Sequence, residues 1–368
     1  MKIQQSLLHQ TTLTLSAVTL GSLVLGTQQA NAAAVIFSTG NAATASVALG
    51  VNNEGHLNVL DSTNTVVTSG DSSQNGYFGV AYKFPDGTWR DATSPGCLCE
   101  GWGVSGTLAT SLTSHSGYAN ISSDGGVNNL TDLGFLSDAG SGTGTFATSN
   151  VRLTDIPLLV TQDYRVSTKT PNLFQNTVKI TNTTGEDIND LRYVRVMDWD
   201  VPPTEFNEYV TIQGVGTTTF LERSHDNGFS TANPLVDDYP GVCGFECDPT
   251  TQDVDFTDSG SSDHGAYFRF NFGTLKAGET REFSIFYGAA ESEAAANVAV
   301  AAEGLELFSY GQQAGDPTGG TPATYIFGFK GVGGTPVIPP KTPEPSGILG
   351  FLGLGALGLV SLKSKRKA

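Results

Sequence analysis

The sequence predicts a mostly β protein, a large antiparallel β-sandwich with one helix along an edge. Three observations carry that expectation. Gly, Thr, Ser and Asn are abundant, with 45 glycines in 368 residues and only 15% charged residues. That is the composition of short strands joined by many turns rather than of a helical bundle. Residues 176–182 alternate, with Val178 and Ile180 on one face and Thr177, Lys179 and Thr181 on the other. Residues 291–304 form the one alanine-rich run, closed by Gly304 as a helix stop. Aromatics at 9% and hydrophobics at 38% exclude wholesale disorder. No repeat of a solenoid or propeller period is visible.

Taken in order, residues 1–32 read as a secretory signal peptide. Lys2 supplies the positive start, an apolar stretch runs over 13–25, and Ala30-Asn31-Ala32 offers the small-x-small site that a signal peptidase cuts after Ala32. Residues 33–335 form the β body, expected outside the cytoplasm. Strands are expected at 76–84, within 151–169, at 176–182 and 191–199, then at 209–215, 266–272 and 282–287. The turn Thr183-Thr184-Gly185-Glu186-Asp187 joins 176–182 to 191–199 as an expected hairpin. Residues 138–145, rich in Gly, Ser and Thr, read as a long loop within the body. A Pro-rich linker follows at 336–342.

The last 26 residues fall into three parts. Pro343-Glu344-Pro345 comes first, then the uncharged segment 346–362, then Lys363-Ser364-Lys365-Arg366-Lys367. Seventeen helical residues reach roughly 25 Å, within membrane-spanning range. The basic end should stay cytoplasmic, which puts the body outside. Read alone this is a tail anchor. The order of proline-flanked glutamate, short apolar helix and basic end resembles the PEP-CTERM sorting signal of exported proteins from exopolysaccharide-producing Gram-negative bacteria. The resemblance implies recognition of Pro343, Glu344 and Pro345 by an exosortase-type membrane protease. It also implies anchoring through the C-terminal helix at first, then delivery to the cell surface or the extracellular space. Within the body, 176–212 and Asp263-His264-Gly265, followed by Gly278-Glu279-Thr280 and Tyr287-Gly288, resemble secreted bacterial β-rich modules. That second likeness carries no activity with it.

Acidity limits the partners. The formal charge is −17, but five of the 19 basic residues are Lys2, Lys363, Lys365, Arg366 and Lys367. Residues 33–362 therefore hold 14 basic against 36 acidic residues, a net −22. Such a body repels nucleic acid and anionic lipid. It suits solubility or divalent cations, and extracellular polysaccharide is an expected partner.

Four groups of residues could carry chemistry. Cys97, Cys99, Cys243 and Cys247 form two tight pairs. Export places them where disulfides persist, with three connectivities open, and their spacing is unusual for a zinc site. Asp198 and Asp200 sit two apart on an expected strand, so they share a face, and Glu205 and Glu208 follow after Pro202-Pro203. Cation binding or loop hydrogen bonding suits them better than glycosidase chemistry, which needs two carboxyls facing each other across a sugar. Asp253, Asp255, Asp258 and Asp263 form a second acidic loop that suits calcium, the one cofactor the sequence raises, though without EF-hand spacing. A solvated turn is the alternative for that loop. His56, His115, His225 and His264 are scattered, and Asp263-His264 lacks a serine in a nucleophile motif.

These readings lead to a surface or extracellular-matrix protein with a structural or glycan-binding body and no catalytic residues. The alternative is a carbohydrate-active hydrolase using Asp198, Asp200, Glu205 and Glu208.

Overall fold

The computed structural model describes residues 33–60, 77–95, 100–120, 126–236 and 249–339. The expected signal peptide with Ala30 and Ala32, all four cysteines, and Pro343-Glu344-Pro345 with its apolar segment lie outside these residues. No helix among the described residues is long and apolar enough to cross a membrane.

The protein is mostly β, built of large antiparallel sheets. In chain order the strands are Ala33–Phe37 (β1), Val47–Asn52 (β2), Val59–Leu60 (β3), Tyr77–Phe78 (β4), Val80–Lys83 (β5), Trp89–Asp91 (β6) and Glu100–Leu108 (β7). Then come Ser114–Asn120 (β8), Gly126–Asn128 (β9), Leu130–Ser137 (β10), Phe146–Leu153 (β11), Leu158–Val166 (β12), Leu173–Asn182 (β13) and Ile188–Trp199 (β14). The last group is Glu208–Gln213 (β15), Leu221–His225 (β16), Phe256–Ser262 (β17), His264–Asn271 (β18), Thr280–Ala290 (β19), Leu307–Gln312 (β20) and Thr324–Lys330 (β21), with the helix Glu293–Glu303 (α1) after β19. A nine-stranded sheet runs β10-β11-β12-β13-β19-β21-β20-β15-β17, and a six-stranded sheet runs β16-β18-β14-β7-β8-β9. A smaller sheet, β1-β2-β5-β6, joins them.

The large sheets face one another across one core. Phe268 of β18 meets Phe327 and Phe329 of β21 at 5.5 and 5.2 Å between ring centroids, and Tyr193 of β14 meets Phe283 of β19 at 4.9 Å. Alternation explains why: on β13 Asn176, Val178 and Ile180 are buried while Lys179 is exposed, so one face turns inward. β14 departs from alternation because it lies in the middle of its sheet with both faces covered. Tyr193 and Met197 join the main core, and Val194 and Val196 pack with Ala232 and Tyr267 on the far side. The small sheet does the same, with Ile36 and Leu49 in the main core and Phe37 and Ala48 in a second cluster with Trp89.

Two expectations need correction. The stretches 176–182 and 191–199 are not a hairpin, because β13 pairs with β12 and β19 while β14 pairs with β18 and β7. The connection carries the chain from one sheet to the other. Asn182 fixes it by donating from its side chain to the carbonyls of Glu186 and Leu275. Alternation specifies which side chains point inward but not which backbone lies alongside. The helix also misses the edge. Ala296, Ala299 and Val300 pack on Leu173, Phe286 and Ile326, over the middle strands of the nine-stranded sheet. Its end matches the expected stop, with Gly304 in the left-handed region at φ 70°, and at its start the Ser292 hydroxyl accepts from Ala295 N. Residues 138–145 form the loop between β10 and β11, which are neighbours in one sheet.

A buried polar group ties the two sheets. The Arg195 guanidinium on β14 donates to Glu100 on β7, to Gln162 Oε1 at 2.9 Å and to Tyr164 Oη at 3.2 Å on β12. Glu100 accepts from Leu57 N at 2.7 Å, and the guanidinium lies 5.3 Å from the Tyr287 ring centroid. Arg195 and Glu100 are both 0% exposed.

Candidate functional site

The acids that the sequence placed in two separate groups meet at one end of β14. Asp198 is on the strand, opposite Gly265, and Asp200 follows directly after it. Between them Trp199 turns the other way, donating its indole N–H to Ser309 Oγ at 3.1 Å. That anchor holds the two aspartates on a common face. Asp263 is the single residue between β17 of the nine-stranded sheet and β18 of the six-stranded sheet. Each of Asp198, Asp200 and Asp263 offers one carboxylate oxygen within 4.8 Å of the others. Glu208 opens β15 beside them.

Close backbone approach makes this possible. A Cβ on Gly265 would stand 2.0 Å from the Met197 carbonyl oxygen, and one on Gly228 would stand 2.5 Å from Asp198 Cα. Both positions need a residue without a side chain.

Most of the cluster is buried: Asp200 and Glu208 are 0% exposed and Asp198 is 1% exposed, while Asp263 is half-buried. Neither carboxylate oxygen of Asp200 has a hydrogen-bond partner, nor does Oε2 of Glu208. The other Glu208 oxygen accepts from His264 N at 3.0 Å. Burial pushes the Asp200 carboxyl up to about 11, with repulsion from Asp198, Glu208, Asp263 and Asp91 adding to it. Burial likewise pushes Glu208 up to about 10, against the His264 N–H, with Asp198 and Asp263 repelling it further.

This has a measurable consequence in chelator-treated protein. Folded Asp200 and Glu208 keep protons that unfolded carboxyls, with ordinary values of 3.8 and 4.5, have lost. The folded state then binds more protons, so stability falls as pH rises. At lower pH two buried histidines oppose this: His56 and His225 are depressed by burial from 6.5 to about 3 and about 4. Above about pH 7 those histidines are neutral in both states and the carboxyls act alone. Denaturant unfolding in EDTA is expected to show stability dropping between about pH 7 and about pH 9, on the order of 1 kcal/mol per group per pH unit. A flat or rising profile over that window counts against the buried, unpaired carboxyls.

His264 is part of a tie rather than a free base. Its Nδ1 lies 3.1 Å from Asp226 Oδ2 and its Nε2 lies 3.3 Å from the Glu208 carbonyl oxygen. Both ring nitrogens lie within hydrogen-bonding distance of oxygens. Thr251 Oγ1 donates to the second Asp226 oxygen at 2.8 Å. The residue paired with His264 is therefore Asp226 and not its sequence neighbour Asp263.

The other expected acids do not converge. Asp253 Oδ1 accepts from Ser224 N at 2.8 Å, Asp255 Oδ1 accepts from Val215 N at 2.8 Å, and Asp258 accepts weakly from Thr211 Oγ1 at 3.5 Å. Asp253 and Asp255 tie loop backbone while Asp258 bonds across the paired strands β17 and β15, and only Asp263 leaves that group to join Asp198 and Asp200. Glu205 sits half-buried on the loop before β15. Sequence reasoning missed Asp91 and Asp226. Asp91 accepts from Gly79 N, Thr93 N and Ser94 N and is still pushed up to about 6 by burial. Its Asp-Ala-Thr-Ser context is a readable turn signal, but nothing in the sequence links it to Asp200.

A groove of about 470 Å³ lies elsewhere, bordered by Asn41, Lys83, Trp89, Ser141 and Thr143. No protein-family model matches the chain, and no curated protein matches it.

Proposed function

We propose that this chain is an exported surface or extracellular-matrix protein, sorted through Pro343-Glu344-Pro345, whose β-rich body has a structural or glycan-binding role. The observation that carries the non-catalytic part of this reading is the enclosure of the carboxylates. A sugar cannot reach Asp198, Asp200 or Glu208 at 0–1% exposure, and His264 is engaged on both nitrogens. A glycosidase needs one carboxyl on each side of an accessible glycosidic bond. The groove supports the binding option: its amide, hydroxyl, ammonium and indole groups suit a saccharide, and none of its lining residues is acidic. The two-part address at the chain ends supports export. The β-rich body then serves as a durable module whose sheets are tied through a shared core.

The test is incubation of the purified protein with a panel of extracellular polysaccharides, followed by pull-down and mass spectrometry of the recovered sugar. Retention of sugars at their original length is the expected result. Shortened products overturn the reading in favour of a hydrolase. A protein that neither retains any polysaccharide nor fractionates with the surface or matrix of its producing cells overturns it altogether.

A further inference from the structure

Burying a carboxylate with no partner is costly enough that proteins usually pair it or use it to hold a cation. Asp200 has neither a hydrogen-bond donor nor a basic side chain on either oxygen, and it lies with Asp198 and Asp263 around one point. We propose that Asp198, Asp200 and Asp263 bind a calcium ion where the chain crosses between the two large sheets, with Glu208 Oε2 beside it.

Three features fit that chemistry. All donors are carboxylate oxygens, which hard cations prefer and which zinc sites rarely use alone. Two calcium–oxygen bonds of about 2.4 Å span at most about 4.8 Å, so oxygens within 4.8 Å of one another can share one ion. The burial of Asp198 and Asp200 favours calcium over magnesium, because magnesium keeps several of its waters and two of the three ligands are closed off from solvent. The ion would also join β14, the β17–β18 crossing and the start of β15, linking both sheets at one point. This is a different site from residues 253–258, where Asp253 and Asp255 accept from backbone N–H groups and Asp258 from the Thr211 hydroxyl. It does not depend on the export or glycan reading above.

The test uses the full chain in detergent, stripped with EDTA and titrated with calcium chloride or magnesium chloride. Thermal unfolding and terbium luminescence, excited through tryptophan and competed by calcium, are the readouts. Trp199 lies between two of the ligands in the chain and is the expected sensitiser. Calcium should raise the melting temperature and displace terbium, with magnesium much weaker. Asp200→Asn should lower calcium affinity at least about tenfold, while melting no earlier than wild type in EDTA because it replaces a buried carboxyl that has no hydrogen-bond partner with a neutral side chain of the same shape. Asp253→Asn should keep the full calcium response. The proposal is overturned if calcium changes neither melting nor terbium signal. It is also overturned if Asp200→Asn responds like wild type, or if Asp253→Asn abolishes the response. Should Asp200→Asn fail to fold, the terbium competition on wild type and on Asp263→Asn decides the matter in the same terms.

Discussion

Replacing Arg195 with methionine is expected to lower unfolding free energy by about 3–5 kcal/mol, among the largest single-residue effects in this protein. The substitution leaves the Glu100 carboxylate at 0% exposure with Leu57 N as its remaining donor. It also strips Gln162 Oε1 and Tyr164 Oη of a cationic donor on the opposite sheet. Glu100→Leu alone should be costly for the mirror reason, a buried guanidinium without its counter-charge. The double substitution Arg195→Met with Glu100→Leu should recover much of the loss, since a buried ion pair is worth little against well-packed apolar groups. Denaturant unfolding of the three variants gives the coupling directly. Additive losses in the double variant would mean that the two side chains do not depend on each other.

Gly265→Ala should also be severe, and it tests how the site is built. The added methyl would meet the Met197 carbonyl oxygen at 2.0 Å and Asp198 Cα at 2.7 Å, both backbone atoms of the neighbouring strand. No rotamer change relieves that, so β14 and β18 must separate where Asp198 and Asp263 come together. Overpacking of this kind costs about 1–3 kcal/mol, and more where backbone must move. Gly185→Ala is the control. It has φ +87° but open space around its Cβ, so only the left-handed backbone is strained, at about 1 kcal/mol. Thermal unfolding should rank Gly265→Ala well below Gly185→Ala. Equal melting temperatures would show that the close approach of β14 and β18 is not needed.

Much of the architecture was legible because it rests on local pattern. The inward face of 176–182 follows from alternation, and α1 follows from its alanine run and Gly304. The pairing of β13 and β14 was not legible. A tight turn with Gly185 between two apolar stretches looks alike whether the chain folds back or passes to the opposite sheet. The choice is made by partners far along the chain, β19 for one strand and β7 and β18 for the other. The position of α1 was hidden for the same reason: an alanine face says that a helix is covered, not by what.

The site divides in the same way. Asp198 and Asp200 on one face of a strand are a consequence of period two, visible in the sequence. The membership of Asp263 rather than Glu205, and the pairing of His264 with Asp226 rather than Asp263, are not. By itself the sequence determined an acidic, turn-rich β chain, the inward face of 176–182 and the residue types available for chemistry. Only the tertiary structure decided that three of those acids meet where the chain passes between two sheets. Burial and convergence depend on contacts between residues tens of positions apart, and no local pattern encodes them.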